Sequence, residues 1–298
     1  AAFSDKARQT GLDMSVVRNG SRGMAWLEPL VEIEDAGVRY AFGPCDAADA
    51  ATLVDALRAG TAARDIRHPL ALGPTEEIDF FKRQTRLTFA RCGITDPVSI
   101  DEYRAHGGYK GLEAALDMEP GQIVDVVTKS GLRGRGGAGF PTGIKWKTVA
   151  DCAPGRKYIV CNADEGDSGT FADRMIMEGD PFVLIEGMTI AGVAVGASKG
   201  YIYLRSEYPH AAVALEEALQ KARKRGYLGE KLAGSRHSFD IEVRIGAGAY
   251  VCGEETSLLD SLEGKRGVVR AKPPLPAHKG LFGKPTVINN VETLANLP

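Results

Sequence analysis

Strands and helices alternate along the second half of the sequence, which predicts an α/β protein with a mostly parallel sheet and helices on both faces. Apolar runs typical of buried strands occur at Lys157–Cys161, Gly200–Leu204 and Phe239–Ile245. Helical patterns at Pro181–Val195 and Pro209–Arg225 separate them. Crossover helices between strands are the sequence signature of a parallel, Rossmann-like sheet, in which ligands bind beyond the carboxyl ends of the strands.

Length and composition indicate an ordinary globular protein. The 298 residues are enough for about two domains, with 44% hydrophobic and 26% charged residues. A net charge of −2 gives no general nucleic-acid signature, and no apolar run predicts a membrane span or a signal peptide. The five cysteines include no C-x-x-C pair, so we expect no metal site within this chain and a reducing, cytoplasmic location.

Residues 1–60 predict a small α/β module. Ser15–Arg18 is a candidate strand, and Leu30–Glu34 with Val38–Phe42 alternates as a hairpin does. The pattern of Ala47–Ala59 is helical. Two strands followed by a helix resemble half of a thioredoxin fold, so we predict a partial thioredoxin-like domain without cluster ligands. Residues 61–110 follow as a connector whose aromatic content argues for packing rather than disorder.

The stretch from Ser130 to Trp146 predicts a phosphate site. It contains six glycines and three cations, Arg133, Arg135 and Lys145. Glycine lets the backbone approach a ligand closely, cations suit a phosphate, and a helix that starts after the loop adds favourable potential. The preceding segment, Gln122–Lys129, suits a short helix as well as a strand, so the G-x-G-x-x-G spacing alone does not establish a dinucleotide fingerprint.

The two long helices carry their own start and stop signals. Pro181 fits a first helical turn, with Asp180 as a possible cap. Pro209–Arg225 is amphipathic and ends in basic residues and Gly226.

Two strand ends carry acidic turns. The first strand is followed by Asp164, Glu165 and Asp167, and the third by a glycine-rich turn that ends in Glu254 and Glu255. Such carboxylates often cap helices or are solvated. They can equally accept hydrogen bonds from ribityl or ribose hydroxyls and repel the extra phosphate of NADPH.

The last segment combines a stiff proline run at Ala271–Pro276 with the sequence Gly283–Thr293. Within it, Asn290 is placed to cap a helix. The same amides can also pair with the polar edge of a ring system.

These blocks together resemble the FMN- and NADH-binding diaphorase subunits, the family of the respiratory complex I flavoprotein subunit and its soluble relatives. The motifs are the glycine loop, Asn162–Glu165, Gly246–Thr256 and Lys284–Thr293, in that order. The resemblance covers residues 111–298. Upstream, the segment 75–108, with Arg86–Arg91 in it, is most similar to the beta subunit of NAD-dependent molybdenum- or tungsten-containing formate dehydrogenase.

The resemblance implies a role for each matching residue. FMN contacts would come from Gly134, Arg135, Gly136, Lys145, Asn162, Asp164, Gly253, Glu255, Asn289, Asn290 and Thr293. The NAD(H) side would be lined by Phe140, Glu165, Asp167, Tyr250, Glu254 and Lys272. Two departures concern that side: Leu275 stands where the family commonly has Phe, and Gly166-Asp167 stands where complex I usually has Ser-Glu.

The resemblance also implies activity and partners. Hydride would pass between NAD(H) and FMN, and single electrons between FMN and iron–sulfur clusters, with no side chain as acid or base. Family members continue into a β-rich and a 4Fe-4S domain, so we interpret this sequence as a segment of a longer subunit. Expected partners are a small 2Fe-2S thioredoxin-like subunit and a larger iron–sulfur and molybdopterin subunit that oxidises formate. The alternatives are a complex I or hydrogenase flavoprotein subunit, or a scaffold that has lost flavin.

Overall fold

The computed structural model describes residues 2–298, which form two compact units that divide between Leu87 and Thr88. Within these residues, no helix combines the length and the apolar character needed to cross a bilayer. Each unit has its own sheet and its own hydrophobic core.

The first unit contains a three-stranded antiparallel sheet in the order β1-β2-β3. Its strands are β1 (Val31–Asp35), β2 (Val38–Phe42) and β3 (Ala71–Pro74), and its helices are α1 (Ala2–Thr10), α2 (Ala47–Arg58) and α3 (Asp79–Lys82). The predicted hairpin and helix are therefore confirmed. Asp46 begins α2 with a capping box, since its carboxylate accepts from the backbone N–H groups of Ala48 and Asp49.

The predicted strand at Ser15–Arg18 is wrong. Residues 12–20 have no regular structure, and Val16 and Val17 are exposed. Their β-branched side chains suit a strand only where a partner strand and an apolar face are available. The small core forms elsewhere, around Phe42, Leu53 and Ile66.

The second unit contains a four-stranded, fully parallel sheet in the order β6-β5-β4-β7. Its strands are β4 (Tyr158–Ala163), β5 (Lys199–Leu204), β6 (Asp240–Ile245) and β7 (Thr286–Asn290). The predicted α/β fold and its first three strands are confirmed. No strand was predicted for the segment that forms β7, although it pairs with the central strand β4.

Helices cover both faces of this sheet. They are α4 (Ile100–Ala105), α5 (Lys110–Leu116), α6 (Pro120–Lys129), α7 (Thr142–Ala150), α8 (Ala172–Gly179), α9 (Pro181–Val195), α10 (Pro209–Lys224), α11 (Glu255–Leu262), α12 (Pro276–Lys279) and α13 (Val291–Ala295). Successive side chains of β4 point to opposite faces of the sheet, so each face has its own core. Ile159 and Cys161 face the larger core with α9, whereas Tyr158 and Val160 face a smaller one with α11.

Helix α9 is buried along its whole length. Asp180 does not cap it: its side chain makes no capping hydrogen bond and instead accepts from Nε of Arg91 at 2.8 Å. Burial raises the pKa of Asp180 to about 6, against the effect of Arg91. The sequence pattern places Asp180 before Pro181 but gives no sign of a cation from a distant segment.

Glu186, in the middle of α9, is fully buried and accepts three hydrogen bonds. The donors are the Tyr103 hydroxyl at 2.5 Å, the Tyr109 backbone N–H at 2.6 Å and the Leu112 backbone N–H at 2.8 Å. Burial raises the pKa of Glu186. This carboxylate fastens α4 and the start of α5 to the central helix.

Candidate cofactor site

The glycine loop folds into a closed turn before α7. Arg133 and Pro141 form an antiparallel bridge, and the Gly134 N–H donates to the Phe140 carbonyl at 2.9 Å. Gly137 and Gly139 have φ values of 100° and 61°, in the region that favours glycine. The loop thus delivers its backbone to the first turn of α7, and the ambiguous segment before it is the helix α6.

The loop is fastened to the end of β7 and the start of α13. The Arg135 N–H donates to Thr293 Oγ1 at 2.8 Å, and a Cβ on Gly136 would lie 3.0 Å from Cβ of Asn290. Arg135 also lies 3.7 Å from the Glu292 carboxylate. A side chain at position 136 would therefore push the loop away from β7.

The tandem asparagines at the end of β7, Asn289 and Asn290, both have hydrogen-bond partners within the chain. Asn290 caps α13, since its Oδ1 accepts from the Thr293 N–H at 2.9 Å and the Thr293 hydroxyl at 2.6 Å, as predicted. Asn289 is buried, and its Oδ1 accepts from Nε1 of Trp146 at 3.0 Å. The strand β7 is thus fastened to α7 as well as to the loop.

Lys145 connects three elements. Its ammonium donates to the Ile288 carbonyl at 2.8 Å and lies 3.9 Å from the Glu255 carboxylate. Burial lowers the pKa of Lys145, and Glu255 acts in the opposite direction. A partly buried cation therefore stands between α7, β7 and α11.

The end of β4 holds a buried carboxylate. Asn162 Nδ2 donates to the Gly253 carbonyl at 2.8 Å, and burial raises the pKa of Asp164 to about 6. A Cβ on Gly166 or on Gly253 would lie 3.0 or 3.1 Å from Oδ2 of Asp164. Glycine at both positions leaves space around this carboxylate.

Glu165 adopts a left-handed backbone, with φ of 41°. Its carboxylate accepts from the backbone N–H groups of Asp173 and Arg174 at 2.8 and 3.1 Å and from the Tyr208 hydroxyl at 2.9 Å. This residue, predicted on the NAD(H) side, is turned toward the first turn of α8 in this structure.

Of the other residues predicted on the NAD(H) side, Phe140, Asp167, Tyr250 and Lys272 are exposed and Glu254 is half-buried. The rings of Phe140 and Tyr250 are 49% and 70% exposed, and the Tyr250 hydroxyl donates to Asp167 at 2.6 Å. Lys272 donates to Glu254 and Glu255 at 2.9 and 2.8 Å. Glu254 also caps α11, since its carboxylate accepts from the backbone N–H groups of Thr256 and Ser257. This carboxylate therefore caps a helix, as one interpretation of the sequence held, and is also paired with Lys272.

Replacing Lys272 with methionine is expected to raise the pKa of Glu254. Burial alone would raise this pKa from 4.5, but hydrogen bonds from Thr256, Lys272 and Ser257 outweigh it and hold the pKa at about 2. Stability from this group is present above about pH 4.5 and is lost as the pH falls toward 2. The measurement is an NMR titration of the Glu254 carboxyl carbon. Lys265→Met, which removes a partner of Glu263 instead, is the control, and an unchanged Glu254 pKa in Lys272→Met would contradict the assignment.

The residues present fit a phosphate-bearing cofactor. The Thr142 hydroxyl, in the first turn of α7, is buried and has no hydrogen-bond partner among the described residues. It stands where the glycine loop, with Arg133 and Arg135, enters the helix. An orphan donor, loop cations and a helix N-terminus together suit an anion.

Asp173 was not among the predicted site residues. It is a buried carboxylate in the first turn of α8, and it contacts Asn290 at 3.1 Å. The sequence could have predicted the burial of Asp173. It lies three and four residues before Ile176 and Met177, and therefore on the same buried face of α8.

The fold and site define a parallel-sheet nucleotide-binding domain, with its polar residues collected where β4 is flanked by β5 on one side and β7 on the other. A family model described as the Nuo51 FMN-binding domain matches residues 127–298, more than half of the chain. The chain therefore belongs to the Nuo51 FMN-binding family, which confirms the predicted resemblance and the prediction of FMN.

Several relatives share this region. The NADP-reducing hydrogenase subunit HndC of Solidesulfovibrio fructosivorans is 54% identical over 217 residues, which are 73% of this chain and 44% of that protein. A NADH-quinone oxidoreductase subunit of Aquifex aeolicus is 58% identical over 200 residues, 67% of this chain and 47% of that protein. A crystal structure of an NAD+-reducing [NiFe]-hydrogenase in the H2-reduced state matches with a TM-score of 0.59 and 31% identity, over 99% of this chain and 48% of that one. The chain thus spans about half the length of these relatives.

Proposed function

We propose that this chain binds FMN and NAD(H) and transfers electrons between them as the diaphorase part of an oxidoreductase. The observation that carries the proposal is that the glycine loop and Lys145 are hydrogen-bonded to α13 and β7, while the Asp164 carboxylate follows β4, the strand that pairs with β7 in parallel. Relatives named for NADH-quinone oxidoreductase and NAD+-reducing hydrogenase support the nicotinamide substrate. In this proposal, residues 111–298 are the cofactor domain, residues 1–60 a partial thioredoxin-like module and residues 61–110 a connector.

The residues of the chain bind and orient the cofactors. The loop, with Gly134, Arg135 and Gly136, and Lys145 hold the phosphate region of FMN. The remaining predicted flavin contacts are Asn162, Asp164, Gly253, Glu255, Asn289, Asn290 and Thr293. Bound FMN supplies hydride exchange with the nicotinamide and single-electron exchange with iron–sulfur clusters. The chain contributes position and exclusion of water, and no side chain has to move a proton for the hydride itself.

The exposed rim selects the nicotinamide cofactor. Phe140 and Tyr250 offer rings for the adenine, and Leu275, 49% exposed, supplies an aliphatic surface where the family resemblance implies an aromatic one. Glu165, Asp167, Glu254 and Lys272 complete this side. We propose a preference for NAD(H), since the rim carboxylates repel the extra phosphate of NADP(H).

The electron donor and partners are the finer part of the proposal. The resemblance of residues 75–108 supports formate, oxidised in a larger iron–sulfur and molybdopterin subunit, with a small 2Fe-2S subunit between them in a cytoplasmic complex. The relatives named as hydrogenase and NADH-quinone oxidoreductase subunits support H2 or a quinone-linked complex instead. The purified complex distinguishes them by which donor or acceptor, formate, H2 or quinone, reacts with its nicotinamide.

The protein reconstituted with FMN is expected to show flavin absorption that bleaches on anaerobic addition of NADH and much more slowly with NADPH. Lys145→Met is expected to weaken FMN binding about tenfold or more, through loss of a cation from the phosphate region. Lys147→Met, on the same helix but paired at the surface with Asp151, is the matched control.

Each other outcome has a definite meaning. A flavin that does not bleach with NADH would contradict the NAD(H) part and direct attention to Leu275. A colourless protein that FMN cannot reconstitute would contradict the whole proposal and favour a scaffold that has lost flavin. Equal bleaching by NADPH would overturn the proposed role of the rim carboxylates.

A further inference from the structure

Asp173 is hydrogen-bonded to Asn290, one of the residues assigned to FMN, and the proposed mechanism does not use it. Its carboxylate is 6% exposed and accepts from Nδ2 of Asn290, at 3.1 Å to Oδ1 and 3.3 Å to Oδ2. It also accepts from the Glu292 N–H at 3.3 Å. The first turn of α8 is thereby bonded to the junction of β7 and α13.

The Asn290 amide has one orientation that satisfies all of its neighbours. Its oxygen caps α13 by accepting from Thr293, so its nitrogen must face an acceptor, which Asp173 supplies. The Thr293 hydroxyl in turn accepts the Arg135 N–H of the glycine loop. A continuous chain of hydrogen bonds therefore runs from Asp173 through Asn290 and Thr293 to the loop.

We propose that Asp173 is a positioning residue for the flavin site, which fixes the Asn290 amide and through it the glycine loop, and which does so most strongly as the carboxylate. This inference rests on the proposed function for its flavin part. Asn290 donates to both oxygens, and protonation of Asp173 would turn one of them into a donor that opposes the amide N–H.

The groups around Asp173 bring the pKa of its carboxyl into the physiological pH range. Burial, followed by the charge of Glu165, raises the pKa of Asp173 to about 7, Glu292 adds to the shift, and the Glu292 N–H and Asn290 oppose it. Other titratable groups near it are the buried Cys161 thiol, whose pKa is raised by burial, and Arg135 beside Glu292. Binding of FMN is therefore expected to tighten as the pH rises through 7.

The test compares FMN dissociation constants from pH 6 to 8 for three variants. Asp173→Ala is expected to weaken binding about tenfold, because it leaves the Asn290 amide without an acceptor. Asp173→Asn keeps one acceptor oxygen but also presents an N–H donor, as the protonated acid does, so its FMN affinity is expected to lie between those of Asp173→Ala and the wild type and to lose the Asp173 part of the pH dependence. The FMN phosphate itself titrates near this range, so the pH profile that Asp173 adds is the difference between the wild type and Asp173→Asn. Asp125→Ala, at an exposed position on α6, is the control.

A second readout needs no flavin. Amide hydrogen exchange at Arg135 in the cofactor-free protein is expected to accelerate about tenfold in Asp173→Ala and not in Asp125→Ala. Unchanged exchange together with unchanged FMN affinity would overturn the positioning role, and a wild-type pH profile in Asp173→Asn would overturn the role of the charge. If the wild type binds no FMN, the proposed function fails, while the exchange experiment still decides the positioning role.

Discussion

Replacing Glu186 with leucine is expected to lower the free energy of unfolding of the second unit by about 4 kcal/mol, since each buried donor left without an acceptor costs about 1–3 kcal/mol. The donors are the Tyr103 hydroxyl and two backbone N–H groups, and none can turn to water at this fully buried position. Leucine keeps most of the side-chain volume, so the loss measures hydrogen bonding rather than a cavity. Urea unfolding, followed by the fluorescence of the buried Trp146 in a Trp26→Phe background, gives the value.

Two further variants serve as controls for this prediction. Glu186→Gln keeps one acceptor oxygen and is expected to lose less, whereas Glu216→Ala, at an exposed position on α10, is expected to change the free energy of unfolding by less than about 0.5 kcal/mol. A Glu186→Leu protein as stable as the wild type would show that α4 and α5 are held by apolar packing alone.

Replacing the next residue, Gly187, with alanine is expected to have the second large effect. A Cβ there would lie 2.8 Å from the carbonyl carbon of Leu294 and would overlap its oxygen. Both atoms belong to backbone, so α9 and α13 must separate, at a cost of about 3 kcal/mol. Because α13 carries Thr293, the variant is also expected to bind FMN less tightly.

The matched control is Gly121→Ala in α6, where the new Cβ meets nothing within 4 Å. Alanine at that helical position is expected to stabilise the protein by about 0.5–1 kcal/mol. The measurement is the same urea unfolding. Unchanged stability in Gly187→Ala would contradict close packing of α9 on α13, whereas an equal loss in Gly121→Ala would show that the loss in Gly187→Ala is not specific to that contact.

The sequence predicted the strands and helices whose own residues carry a clear apolar or amphipathic pattern. Strands β4 to β6 and helices α9 and α10 are apolar or amphipathic with clear boundaries, and all form close to the predicted residues. The hairpin β1–β2 follows in the same way from alternation around Asp35-Ala36-Gly37. In the structure, Asn290 contacts the glycine loop and Asp173 of α8, and the Asp173 N–H in turn donates to Glu165 of the acidic turn. Their contacts with cofactors stay predictions.

Elements that depend on distant partners could not be predicted in this way. The segment of β7 is short and ends in two asparagines, so its pairing with β4 becomes evident only in the sheet. Asp180 has the sequence context of a cap, but a cation from Arg91 decides its role. Ser15–Arg18 has strand-forming residues without a partner strand. In the first two cases the interaction joins segments far apart in sequence, and in the third the distant partner is missing, so local propensity carries no information on the outcome.

The position of β7 also sets the order of events during synthesis. Strands β4, β5 and β6 are made before β7, so the edge that β4 offers to β7 stays unpaired until residues 286–290 have been made. The same segment brings Asn289, Asn290 and Thr293, so the proposed flavin pocket can be complete only after β7 and α13 have been made. A pairing so distant in sequence folds slowly and leaves an unpaired strand edge exposed meanwhile. Under the proposed function, a nascent chain stopped before β7 would therefore lack these three flavin contacts.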